Sequence, residues 1–113
     1  MDFEKLAVWQ RSKRLAIELY RILAGCRDYG FKDQVTRSAL SIPSNIAEGM
    51  ERRGSREKVW YLSVAKASCG ELRTQLMIGG EIGYIDAGLA SGWINETREL
   101  SRMLSGLINR MSN

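Results

Sequence analysis

The sequence contains no histidine, a single proline and only two cysteines. Without histidine the chain lacks the commonest general base, the usual zinc ligand and the Glu-x-x-His pairs of di-iron bundles. Most classes of enzyme are therefore disfavoured, and we expect no cofactor and no metal ion. Cys26 and Cys69 have no metal-ligand spacing, so both are expected to be reduced, with Cys69 as a small core residue.

Long apolar runs are also missing, and no stretch reaches the length of a membrane span. The N-terminal Met1–Lys5 does not have the pattern of a signal peptide, so we expect a soluble, cytoplasmic protein. At 113 residues the chain should form one domain, residues 1–113, that buries about two thirds of the surface of the unfolded chain.

Apolar residues at helical spacing predict four amphipathic helices, at about 3–24, 31–49, 55–82 and from residue 86 onward. Ser55 and Asp86 are the expected N-caps of the third and fourth helices, and Gly83 the expected C-terminal cap of the third. In the first helix, Tyr20 and Ile22 fall on the predicted apolar stripes. Short turns between the helices favour an all-α, antiparallel, up-down-up-down four-helix bundle.

The most informative segment is Ser41–Gly49, which interrupts the apolar stripe of the second helix. Pro43 removes a backbone donor there and should kink the helix or free a carbonyl, at a cost of about 3 kcal/mol. Asn45 and Glu48 are well placed to bond the backbone groups that such a bend releases. The segment is therefore predicted to have a structural use.

The same segment resembles the S-I-P-x-N-I-A-E-G motif of four-helix-bundle proteins encoded by intervening sequences in bacterial 23S ribosomal RNA genes. Four further segments agree with that family, so that the resemblance covers nearly the whole chain in order: Phe3–Gln10, Asp33–Ala39, Ser68–Leu72 and Ile82–Ile85. The resemblance implies a four-helix bundle, and since related proteins form ring-shaped homo-pentamers, it also implies self-association. It extends more distantly to the accessory variability protein of diversity-generating retroelements, a pentameric bundle that binds nucleic acid.

Glu48 and Glu71 lie on or next to apolar stripes, and the resemblance places both in the family's recognisable motifs. Two such carboxylates can share a proton or hold a cation, which would suit an enzyme. The structural interpretation is stronger, because buried polar groups must be satisfied and partners are at hand in Ser41, Ser44, Asn45, Ser68 and the backbone near Pro43. We expect this group to fix the register of the helices, with the following structural residues: Ser41, Pro43, Asn45, Glu48, Gly49, Ser68 and Glu71.

The net charge of +4 lies entirely in the first half, because basic and acidic side chains balance from residue 59 onward. Several basic residues cluster around the expected start of the third helix, where backbone donors and the helix dipole also favour anions. They suggest contact with a phosphate backbone, although an ordinary solvated turn would look the same. The candidate nucleic-acid-binding residues are Arg11, Lys13, Arg14, Arg52, Arg53, Arg56 and Lys58.

The sequence thus predicts a non-enzymatic homo-oligomer, by resemblance a pentamer, that contacts RNA or DNA through a basic surface. Small residues of the third helix, from Ala65 to Gly70, would allow another helix to approach closely, and Trp60 lies off the main seam as a candidate interface anchor. The alternative is a purely structural or protein-binding oligomer without a role for nucleic acid. No small-molecule substrate and no membrane partner are indicated.

Overall fold

The structure, a computed structural model, describes residues 2–112. A short 3₁₀ turn, Phe3–Lys5, precedes four α-helices: α1 (Ala7–Ile22), α2 (Tyr29–Met50), α3 (Ser55–Glu81) and α4 (Ala87–Met111). Among the described residues no strand forms. The predicted all-α, up-down-up-down bundle is confirmed. Helices α1 and α3 each pack against α2 and α4 but not against each other, so they occupy a diagonal of the bundle.

The core runs through all four helices and follows the predicted stripes closely. Every member of the three-four alternation on α3 is fully buried, as are the four apolar stripe positions of α2. These residues are Leu62, Ala65, Cys69, Leu72 and Leu76 on α3, and Val35, Ala39, Ile42 and Ile46 on α2. The α1 stripes are narrower than predicted, because Tyr20 and Ile22 are nearly half exposed.

The helix ends depend on a few caps, and not all lie where the sequence placed them. Asp86 caps α4 as predicted, accepting a hydrogen bond from the backbone of Leu89 at 3.1 Å. Gly83 follows the end of α3 with φ +82°, a conformation that glycine adopts without strain. The cap predicted at Ser55 is wrong by one residue, because Gly54 is the N-cap and offers no side-chain acceptor.

Helix α2 continues without a break across Pro43, which is buried against the rest of the bundle. A proline at this position removes the donor that would have bonded the carbonyl of Ala39, one turn earlier. The helix also starts earlier than predicted, since Asp28 accepts a hydrogen bond from the backbone of Phe31 at 3.1 Å. Helix α2 is therefore one element of 22 residues that spans the bundle.

Both cysteines are free thiols in the described residues. Cys69 is fully buried, and burial raises the pKa of its thiol to about 12. It acts as a small apolar core residue, as the sequence predicted. Within residues 2–112, none of the helices combines the length and the apolar character needed to cross a membrane.

Candidate functional site

A ladder of hydrogen bonds links α2 to α3 along the predicted structural segment. Asn45 donates from Nδ2 to the Ser41 carbonyl at 2.8 Å and to the Ser41 hydroxyl at 2.9 Å. The Ser41 hydroxyl in turn lies 2.8 Å from the hydroxyl of Ser68, which is buried on α3. Each polar group thereby finds a partner, and because these partners stand on two helices, the ladder opposes any slip of α2 along α3.

The next step of the ladder uses a residue that the sequence reasoning missed. Ser38 is 3% exposed and donates from its hydroxyl to Glu71 Oε1 at 2.8 Å. The signal was present, because Ser38 precedes Ser41 by three positions and Asn45 by seven, which is one face of a helix. The Glu71 carboxylate is oriented by this bond but remains exposed to solvent. One turn further along α3, Gln75 Oε1 is buried and has no hydrogen-bond partner among residues 2–112.

Glu48 differs from the prediction. Its carboxylate forms an ion pair with Arg52 one turn later at 3.0 Å, and its side chain is 51% exposed. It makes no hydrogen bond to Asn45 or to the neighbouring serines. Ser38, the partner of Glu71, precedes Glu48 by ten positions, or about 15 Å along α2, so the two carboxylates do not share a proton. Across the described residues, no three His, Cys, Asp or Glu side chains converge as a metal site.

Gly49 ends the segment at a close approach of α2 to α3. A Cβ placed on Gly49 would lie 2.9 Å from the Cβ of Tyr61 and 3.3 Å from the carbonyl oxygen of Lys58. Neither neighbour can move without shifting the backbone of α3. Only glycine therefore permits this approach of the two helices.

The basic connection between α2 and α3 is partly neutralised by the protein itself. Arg52 pairs with Glu48 and lies 3.7 Å from Glu57, with its guanidinium over the ring of Tyr61. Lys58 donates from Nζ to the carbonyl of Met50 at 3.1 Å, which satisfies the end of α2.

Two members of this basic cluster keep their charge available. Arg53 and Arg56 are exposed and make no ion pair with any residue in the described range. They flank the N-terminus of α3, where Gly54 provides no side-chain acceptor and the first N–H groups face outward. This pair is the part of the α2–α3 connection that can still contact an anion.

The three candidate residues on α1 face different surroundings. Arg11 reaches α4, where its guanidinium makes two hydrogen bonds to the Glu96 carboxylate, the longer at 2.9 Å. The hydrogen bonding that Arg11 donates to Glu96 raises the pKa of Arg11 above its usual value, so this charge is used to join α1 to α4. Lys13 and Arg14 are exposed on the outer side of α1, and the Lys13 ammonium lies 5.2 Å from the centroid of the Trp9 ring. No described contact joins these residues to the α2–α3 connection.

One face of α3 points away from the bundle and is mostly apolar. We call it the α3 outer face; helical spacing aligns its members, which are Trp60, Val64, Ala67, Glu71, Thr74 and Ile78. Trp60 is 60% exposed, and Ile78 is 49% exposed. The outer face of α4 is different, with exposed polar residues and glycines such as Asn95, Glu99, Arg102 and Gly106. The outer surface of α3 is therefore more apolar than that of α4.

Comparison with known proteins gives a family and a fold. The model of the 23S rRNA-intervening sequence protein family matches residues 4–106. Among solved structures, the chain is similar to a protein of unknown function from the S23 ribosomal protein family of Bacteroides thetaiotaomicron. That likeness has a TM-score of 0.84 at 22% sequence identity and covers 90% of this chain and 98% of the other. A search of curated proteins finds no match.

Proposed function

The chain belongs to the 23S rRNA-intervening sequence protein family, and we propose that it is a non-enzymatic subunit that assembles with copies of itself. The observation that carries this proposal is the exposed α3 outer face, with Trp60 60% exposed at one end. Tryptophan in such a position is a frequent anchor of protein interfaces. The resemblance to ring-forming relatives makes a homo-pentamer the expected assembly.

Several features support an assembly role over catalysis. The carboxylates of the recognisable segments are engaged separately, Glu71 by Ser38 near the middle of α2 and Glu48 by Arg52 just beyond the end of α2. The buried polar groups that were candidates for chemistry instead connect α2 with α3. These hydrogen bonds hold α2 and α3 in one arrangement, so every copy of the protein presents the same outer surface.

The first test is the mass of the purified protein. Light scattering coupled to size exclusion should give a mass near five chains, and Trp60→Ala should shift the population towards smaller species at equal concentration. Tyr29→Ala is the matched control, because Tyr29 is an aromatic residue that is 73% exposed on a different helix. A monomer at every concentration would contradict the proposal. Equal effects of the two substitutions would remove Trp60 from the interface.

A second function, contact with RNA or DNA, is favoured by Arg53 and Arg56 beside the open N-terminus of α3. Backbone donors and two free guanidinium groups form a surface that attracts phosphate without reading sequence. In an assembly this surface would recur once per copy, so that weak contacts add through avidity. The competing interpretation is an oligomer with only structural or protein-binding roles, in which this turn is incidental.

Salt dependence separates these interpretations. Binding of a fluorescent single-stranded RNA should weaken steeply as salt rises, and the Arg53→Ala/Arg56→Ala variant should lower the log–log slope by about 1.4, or 0.7 for each lost phosphate contact. The matched control removes two arginines from α4, Arg98→Ala/Arg102→Ala, and should leave the slope nearly unchanged. No binding at low salt, or equal slopes for the two variants, would favour the purely structural oligomer.

A further inference from the structure

We propose that the outer face of α1 on one copy packs against the α3 outer face of the next, with basic side chains of α1 pairing with Glu71. This inference rests on the proposed self-association and names the two surfaces that make it. The α1 outer face consists of the residues that line one shallow surface groove: Trp9, Gln10, Lys13, Arg14, Ile17, Glu18 and Arg21.

The charges of the two faces are complementary. Lys13, Arg14 and Arg21 are exposed, and none forms an ion pair with another residue in the described part of the chain. Glu18 is the one acid of this face, and its Oε2 is already engaged because it accepts a hydrogen bond from the Trp93 indole of α4 at 2.9 Å. Glu71 is the one charged member of the α3 outer face, and a meeting of the two faces would pair it with a cation.

The Glu71 carboxylate is prepared for such a contact. The Ser38 hydroxyl holds one oxygen, Oε1, at 2.8 Å, which fixes the direction of the carboxylate and leaves Oε2 for a donor from outside. An arginine fits this role, because its planar guanidinium presents several N–H groups to one carboxylate. The chain itself provides no cation for Glu71 among residues 2–112.

The centres of the two faces are complementary in size, with a large apolar side chain on α1 and a small one on α3. Ile17 is 41% exposed at the middle of the α1 face, and the small Ala67 leaves room for it on α3. Glu71 lies one turn from Ala67, whereas basic residues lie one turn from Ile17 on both sides: Lys13 and Arg14 before it, Arg21 after it. When Ile17 of one copy packs on Ala67 of the next, a basic side chain of α1 therefore reaches Glu71 whether α1 and α3 run parallel or antiparallel.

The positions of the two faces in the bundle also suit a repeating assembly. Because α1 and α3 lie on a diagonal of the bundle, each copy presents the α1 outer face on one side and the α3 outer face on the opposite side. A contact between two different faces is heterologous, and such contacts form rings when the rotation closes. The polar outer face of α4 is left in contact with water.

Charge reversal tests this interface in the full-length protein. We expect Glu71→Arg, and separately Arg14→Glu/Arg21→Glu, to raise at least tenfold the concentration at which the assembly dissociates in sedimentation velocity. Combining all three substitutions in one chain should restore assembly towards the level of the unchanged protein. The matched controls reverse charges on α4, Glu99→Arg and Arg102→Glu, and should assemble normally. Circular dichroism should show that every variant remains helical.

The outcomes separate the proposed contact between α1 and α3 from the more general proposal that the protein self-associates. If the unchanged protein is a monomer at all concentrations, the proposed function fails and this interface fails with it. If the protein assembles but Glu71→Arg behaves like Glu99→Arg, the interface is wrong and the assembly stands. Failure of the combined variant to recover, with its helices intact, would also overturn the pairing of Glu71 with α1.

Discussion

Replacing Ile42 with alanine is expected to lower the free energy of unfolding by about 3–4 kcal/mol. Ile42 is fully buried and lies at the centre of the segment that gives the chain its family resemblance. Its truncation removes apolar surface from the core and leaves a cavity that close-packed helices fill only in part. Urea unfolding followed by circular dichroism measures the loss, at one fixed protein concentration because assembly would stabilise the folded chain.

Glu48→Gln is the matched substitution within the same segment. The Glu48 side chain is 51% exposed and its ion pair with Arg52 is open to solvent, so the expected loss is below about 1 kcal/mol. A small effect of Ile42→Ala together with a large effect of Glu48→Gln would reverse our interpretation. The segment would then depend on its carboxylate and not on its apolar packing.

Gly49→Ala is expected to destabilise the protein by about 2 kcal/mol or more, although alanine is the better helix former. The gain in helix propensity is about 1 kcal/mol. This gain is outweighed because the added Cβ would lie 2.9 Å from the Cβ of Tyr61 and 3.3 Å from the carbonyl oxygen of Lys58. Because both atoms belong to or adjoin the backbone of α3, relief requires the two helices to separate, which loosens the core around them.

Gly106→Ala provides the control for this prediction. Gly106 lies inside α4, and a Cβ added there would meet no atom within 4 Å. We therefore expect Gly106→Ala to stabilise the protein by up to about 1 kcal/mol, opposite in sign to Gly49→Ala. The same urea titrations measure both. If the two variants changed stability equally, the close approach at Gly49 would have no energetic consequence.

These expectations describe Ser41–Gly49 as a segment that places α2 on α3. Ile42 and Ile46 fill the core, Gly49 sets the distance between the helices, and Ser41 and Asn45 fix their register. The solved relative shares this fold at 22% identity. A bundle whose helices are held in this way presents constant outer faces, which a symmetric assembly requires.

The candidate basic surface shows where reasoning from the sequence stopped. Counting charges located the excess correctly, but it treated seven side chains alike. In the folded chain Arg11 forms an ion pair with Glu96, 85 positions away, and Arg52 forms one with Glu48. Arg53 and Arg56 keep their charges available because they stand at the end of the bundle. Spacing along the chain gives no access to a partner as distant as Glu96, whereas the pair of Glu48 and Arg52 is four residues apart and helical spacing could have indicated it.

By itself the sequence determined the four helices, their order and most of the core, because helical periodicity is local and the apolar stripes of α2 and α3 repeat it without ambiguity. Tertiary structure alone decided which polar groups meet. The rotation of each helix about its axis places Ser38 opposite Glu71, and it leaves Glu48 outside, on the solvent side of α2. Burial in a shared core fixes these rotations, since each depends on the packing of all four helices at once.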